Sequence, residues 1–91
     1  MSNITVVALS TIDAVKLGNE IYREIYLSAA KAMDAAEVEM TSSGSSKKAW
    51  VLAYVKSLVQ EFNESWDIWF KLISEFIDNV KTAYNALKYL F

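Results

Sequence analysis

The chain contains no cysteine, no histidine and no proline, and only two glycines, Gly18 and Gly44. Without cysteine there is no disulfide and no thiolate metal site, and the redox compartment cannot be read from it. Without histidine the commonest general base and metal ligand is gone. A carboxylate di-iron bundle needs Glu-x-x-His, so that chemistry is excluded. Glu61 and Glu64 are three apart but fall on a polar helix face, where charges are ordinarily solvated. The expectation is a non-enzyme with no catalytic, cofactor-binding or metal site and no small-molecule substrate.

Long apolar runs are missing too. The longest charge-free stretches that are strongly apolar, Met1–Ile12 and Ala49–Val55, fall short of the roughly 18–20 residues that cross a bilayer. The N-terminus has no basic region before an apolar run and does not read as a signal peptide. Localisation is therefore open. Charge of one sign is scarce: nine Lys+Arg stand against eleven Asp+Glu, for a net charge of −2. Residues 1–40 carry three basic and six acidic side chains, and residues 47–91 six and five. Neither half has the basic stripe that phosphate recognition requires, so nucleic acid is not an expected partner.

What the chain has in excess is apolar surface. Hydrophobic residues make up 54% of 91 residues, with a mean hydropathy of +0.18. A chain this short forms one domain at most, and only marginally buries a core alone. Only the cluster Thr41-Ser42-Ser43-Gly44-Ser45-Ser46 interrupts helix: Gly44 suits a left-handed helix end and the serines suit a following cap. The predicted fold is all-α, a two-helix antiparallel hairpin in a single domain 1–91. Arm one covers about residues 10–41, the turn 41–46, and arm two about 47–91.

Arm two carries the strongest pattern. Val51, Val55, Leu58, Phe62, Trp66, Trp69, Ile73, Phe76, Val80, Tyr84, Leu87 and Phe91 recur at steps of three and four. The mean step of about 3.6 residues predicts one nearly straight amphipathic helix about 65 Å long. Leu52, Val59, Phe70 and Ile77 widen its apolar face on one flank, and Tyr54, Leu72, Ala83 and Leu90 on the other. The resulting arc of roughly 160–180° exceeds the ~100° that one neighbour covers. The expected interface is therefore Val55, Leu58, Phe62, Trp66, Trp69, Phe70, Ile73, Phe76, Ile77, Val80, Tyr84 and Leu87.

Arm one opens with β-branched Ile4, Thr5, Val6 and Val7, which suggest an extended lead-in through residue 9. Ser10 and Asp13 fit a helix start. A stripe of mostly small residues follows: Ala14, Gly18, Ile21, Ile25, Ala29, Ala32, Ala36 and Met40. Small residues let a bulky partner helix approach closely. Leu9, Leu27, Ala30 and Val38 lie on the other side of this arm, where a hairpin alone leaves them exposed. At the turn, Lys47 and Lys48 sit at a helix start and Glu37 and Glu39 near a helix end, each disfavoured by the dipole. Pairing across the turn would relieve both, and a tip contacting an acidic partner or phosphate is the other reading.

A Gly-containing turn at residue 44 in a helical hairpin of this length, followed by Trp50 and Tyr54, resembles the WXG100 (ESAT-6-like) proteins. The chain departs from that pattern at Ser42, where the family has its turn tryptophan. It departs again at Tyr84-Asn-Ala-Leu-Lys88, where an acid would complete the export signal. The resemblance implies a homo- or heterodimeric helical partner protein of a type VII secretion system.

These features predict a non-enzymatic structural or assembly protein that self-associates through its wide aromatic face, as a four-helix bundle or as a subunit of a coat or filament. The alternatives are a binding module for a different helical protein (secretion partner, adaptor or inhibitor) and a membrane-surface helix. Tryptophan suits the membrane interface, but the polar face of arm two mixes signs instead of being Lys/Arg-rich.

Overall fold

The computed structural model describes residues 7–8, 19–39 and 44–90; side chains at 39, 44–45 and 87–90 are outside the description. Among the described residues the chain is all-helical, with no strand. The three long helices are α1 (Glu20–Glu39), α2 (Gly44–Glu61) and α3 (Trp66–Leu90).

The start of α1 is built by Asn19. Its Oδ1 accepts a hydrogen bond from the Tyr22 backbone N–H at 3.1 Å, and its carbonyl takes the first helical bond, from Arg23, at 2.8 Å. Glu20 in the first turn adds an anion at the positive end of the dipole. An unbroken arm from residue 10 is therefore corrected to a helix that begins at 20, and the Ser10/Asp13 start lies outside the described residues. Val7 and Ala8 are helical and buried, which replaces the extended lead-in at those two positions. Their β-branched neighbourhood favours strand only weakly, and packing on the core overrides it. Gly44 is the first residue of α2 instead of a residue closing α1, so the expected turn at 41–46 is shortened from its far side.

The largest correction concerns arm two. The helix expected over 47–91 ends at Glu61 and a second one begins at Trp66. The break is a Schellman closure. Glu64 N–H donates to the Val59 carbonyl at 3.1 Å and Asn63 N–H to that of Gln60 at 3.0 Å, with Asn63 left-handed at φ 58°. Asparagine is the non-glycine residue that most readily takes this conformation. Ser65 then opens α3: its carbonyl accepts from Trp69 N–H at 3.1 Å, and Asp67 lies in the first turn. Trp69 Nε1–H reaches back to Glu64 Oε1 at 3.4 Å, a polar staple between the residue before the cap and the fourth helical residue.

Asn63→Gly should leave stability within about 0.5 kcal/mol of the parent, whereas Asn63→Ile should cost about 1–2 kcal/mol because a β-branched residue resists positive φ. Urea denaturation of the two variants checks this. Equal midpoints would mean that the left-handed residue carries no strain to relieve.

The break folds α3 back onto α2. Tyr22 and Tyr26 of α1 meet Trp69 and Phe76 of α3, while Glu37 at the far end of α1 meets Lys47 at the start of α2. The helices therefore run up, down and up, and α1 packs most closely on α2. The longest molecular dimension is 40 Å, close to the ~38 Å of a 25-residue helix and well short of 65 Å.

The core is drawn from all three helices. Ile25, Ala29, Ala32 and Ala36 of α1 are buried, as the small-residue stripe predicted. Ile21 of that stripe is partly exposed, and Ala14, Gly18 and Met40 lie outside the described residues. Val51, Val55 and Val59 come from α2, and Trp69, Ile73, Phe76, Ile77 and Val80 from α3. Ala8 joins the same cluster, and Ala30, expected to be exposed, is fully buried in it. Val38 remains on the surface as expected, while Leu27 is half-buried. No polar or charged side chain is buried among the described residues.

Candidate interaction surface

Because α2 and α3 face each other across one core, the surface expected to meet other chains is largely used inside this one. Val55, Trp69, Ile73, Phe76, Ile77 and Val80 are buried. Leu58, Phe62, Trp66 and Tyr84 are half-buried and pack against that core. Only Phe70 of the expected set is exposed, at 49%, and the side chain of Leu87 is outside the description. The face was too wide for a single neighbour, and the break provides two intramolecular ones.

Among the described residues, the exposed large apolar side chains of α2 and α3 are mostly others. Trp50 and Tyr54, one turn apart on α2, are 40% and 53% exposed, with rings stacked at 6.0 Å and an interplanar angle of 21°. On α3, Ile68 and Phe70 are exposed, and Phe70 meets the edge of Trp66 at 5.9 Å. Trp50 and Tyr54 lie on the flank of α2 that also carries Lys47. Together with Ser57 and Glu61 they form an outward stripe at steps of three and four, Lys47-Trp50-Tyr54-Ser57-Glu61. Lys47, half-buried and paired with Glu37, stands at its N-terminal end, the aromatic pair in the middle and the exposed carboxylate of Glu61 at its C-terminal end.

The turn lysines divide their work. Lys47 Nζ pairs with Glu37 Oε1 at 3.3 Å, which is the pairing across the turn expected from the dipoles. Lys48 turns instead to α3, reaching both carboxylate oxygens of Asp78 at 3.0 and 3.1 Å. That partner depends on the fold-back of α3 and has no local signature. Both pairs are partly exposed, so each contributes about 0–1 kcal/mol.

Trp50, Tyr54 and Ile68 were absent from the expected interface, Tyr54 standing only on the flank of the wide face. The signal for Trp50 and Tyr54 in the sequence is a second line on α2, about 100° from the buried stripe. Among the described residues no group of three or more carboxylates is placed to hold a metal ion, and no helix is long and apolar enough to cross a membrane. Compared with protein-family models, with curated proteins and with solved structures, the chain matches none of them.

Proposed function

We propose that the chain is a non-enzymatic assembly protein that joins a second copy of itself through the outward stripe of α2. The observation that carries this reading is the stacked, half-exposed Trp50–Tyr54 pair at the centre of that stripe. Tryptophan and tyrosine dominate binding hot spots because they bury large area at small entropic cost. A second copy is favoured as occupant by the charge order of the stripe. An antiparallel, two-fold pairing centred on Tyr54 brings Glu61 of the other copy to the Lys47–Glu37 pair, where the Lys47 ammonium can bridge both carboxylates, and sets Trp50 over the small Ser57. It also opposes the two helix dipoles. Such an isologous contact is self-complementary by construction.

Two three-helix units would then meet along α2, in place of the four-helix bundle expected for two hairpins. A stripe of five residues is small beside the roughly 20–30 residues a side of a standard interface, so association should be weak, with a dissociation constant of about 1–100 μM. Light scattering from about 10 μM to 1 mM should show mass rising towards a dimer. Tyr54→Asp should hold the protein monomeric over the same range while its helical circular dichroism is unchanged, since Tyr54 lies outside the core. Glu61→Lys should weaken the dimer, and adding Lys47→Glu should restore it. A parent protein that stays monomeric at the highest concentration would overturn the proposal. So would a dimer indifferent to Tyr54→Asp.

A further inference from the structure

The end of the bundle where α1 finishes, α2 begins and α3 passes its midpoint holds an open cleft of about 120 Å³. Its floor is apolar: Met33 and Ala36 from α1, Val51 from α2, Ile77 and Val80 from α3. Its other lining residues are polar and mainly cationic: Lys47, Lys48 and Lys81, Tyr84, Asn85 and a single acid, Glu37. Charge neutralisation among them is incomplete. Glu37 answers Lys47, and Asp78, which does not line the cleft, answers Lys48. Lys81 has no carboxylate within ion-pairing distance among the described residues. One positive charge is therefore left over beside an apolar hollow, with an amide and a phenol as neutral hydrogen-bonding groups.

We propose that this cleft binds a small amphipathic monoanion, a carboxylate carried on an apolar body the size of one ring. Size sets the body: an apolar cavity of about 150 Å³ accommodates benzene, and drug-sized ligands need at least twice that space. Charge sets the head group, because a lysine ammonium at an apolar rim favours a single anion more than a neutral or cationic group of equal shape. A dianion would have to displace Glu37 or Asp78 from its lysine to gain a second pair. The apolar body lies on the floor formed by Val51, Ile77 and Val80, and the carboxylate meets Lys81 with Asn85 and Tyr84 in reach.

Benzoate is the probe for the test, with benzyl alcohol and benzylamine as neutral and cationic matches. Each is titrated into the full chain while amide chemical shifts are followed. Benzoate should move the Val51, Ile77 and Val80 amides in a saturable way, and the two controls should bind at least roughly fivefold more weakly. Lys81→Gln should lose roughly the same factor for benzoate only, while Lys81→Arg retains affinity. Lys81 is exposed, so neither variant should disturb folding. Three results would overturn the proposal: benzyl alcohol binding as tightly as benzoate, Lys81→Gln without effect, or no saturable shift at the cleft.

Discussion

Trp69→Ala is expected to destabilise the fold severely, and not merely to alter its surface. Trp69 is almost wholly buried, its ring is met edge-on by Tyr22 at 4.7 Å and Tyr26 at 5.6 Å, and its Nε1–H reaches Glu64. Truncation removes the transfer free energy of the indole and leaves a cavity among rigid neighbours, a loss of about 3–5 kcal/mol. Each edge-on aromatic contact adds about 0.5–1.5 kcal/mol beyond area burial. A domain of this size has only about 5–14 kcal/mol to lose. Urea denaturation followed by circular dichroism should therefore show a midpoint near zero or a large fall. The polar staple at the α2–α3 junction disappears with the ring, so the loss should exceed that of Phe76→Leu. A fall below about 1 kcal/mol would mean that Trp69 is not the keystone the fold makes it.

Val55→Asp should destabilise comparably, and with a distinctive pH dependence. Val55 is fully buried at the centre of α2, and among the described residues no polar or charged side chain is buried. An introduced carboxyl has its folded-state pKa raised by desolvation above the unfolded value of about 3.9. Above that value the folded state binds more protons than the unfolded one, so stability falls as pH rises. The slope is about 1.4 kcal/mol per pH unit until the folded pKa is passed. Val55→Asn carries the same shape without the charge and should show no such slope relative to the parent. If the Asp and Asn variants have parallel pH profiles, position 55 is open to water and the three-helix packing around it is wrong. The outcome also separates two roles for this face. A residue at a subunit contact would give a soluble, folded monomer when charged, whereas a core residue gives unfolding at neutral pH.

Much of the inward-facing set can be read directly from spacing. Val51, Val55, Trp69, Ile73, Phe76 and Val80 follow the helical period and are all buried. Ala29, Ala32 and Ala36 of α1 are buried where a small face was expected to receive a bulky one. Lys47 and Glu37 pair because each sits at the wrong end of a helix dipole, which is a local cause. The break at residues 62–65 is different. Its ingredients are visible as Asn63, Ser65 and Asp67, yet the step from Phe62 to Trp66 to Trp69 keeps the apolar period running through it. The period survives because two helices that turn back on each other still present their apolar sides to one shared core. Periodicity reports which side of a residue is buried and carries no information about whether the axis has reversed.

The sequence by itself therefore determined the helical class, the interruption between α1 and α2, and most of the side chains that turn inward, because each follows from local propensity and a repeat of three and four. The tertiary structure alone decided whether the wide aromatic face of residues 51–84 is outside or inside. A left-handed asparagine and a serine cap shift the local balance by only about 1 kcal/mol in either direction. Burying the same face against α1 and against its own second half gains many times that, through contacts distant in sequence. Those distant contacts also decide that Trp50 and Tyr54, and not Trp69 and Phe76, are left exposed on the surface.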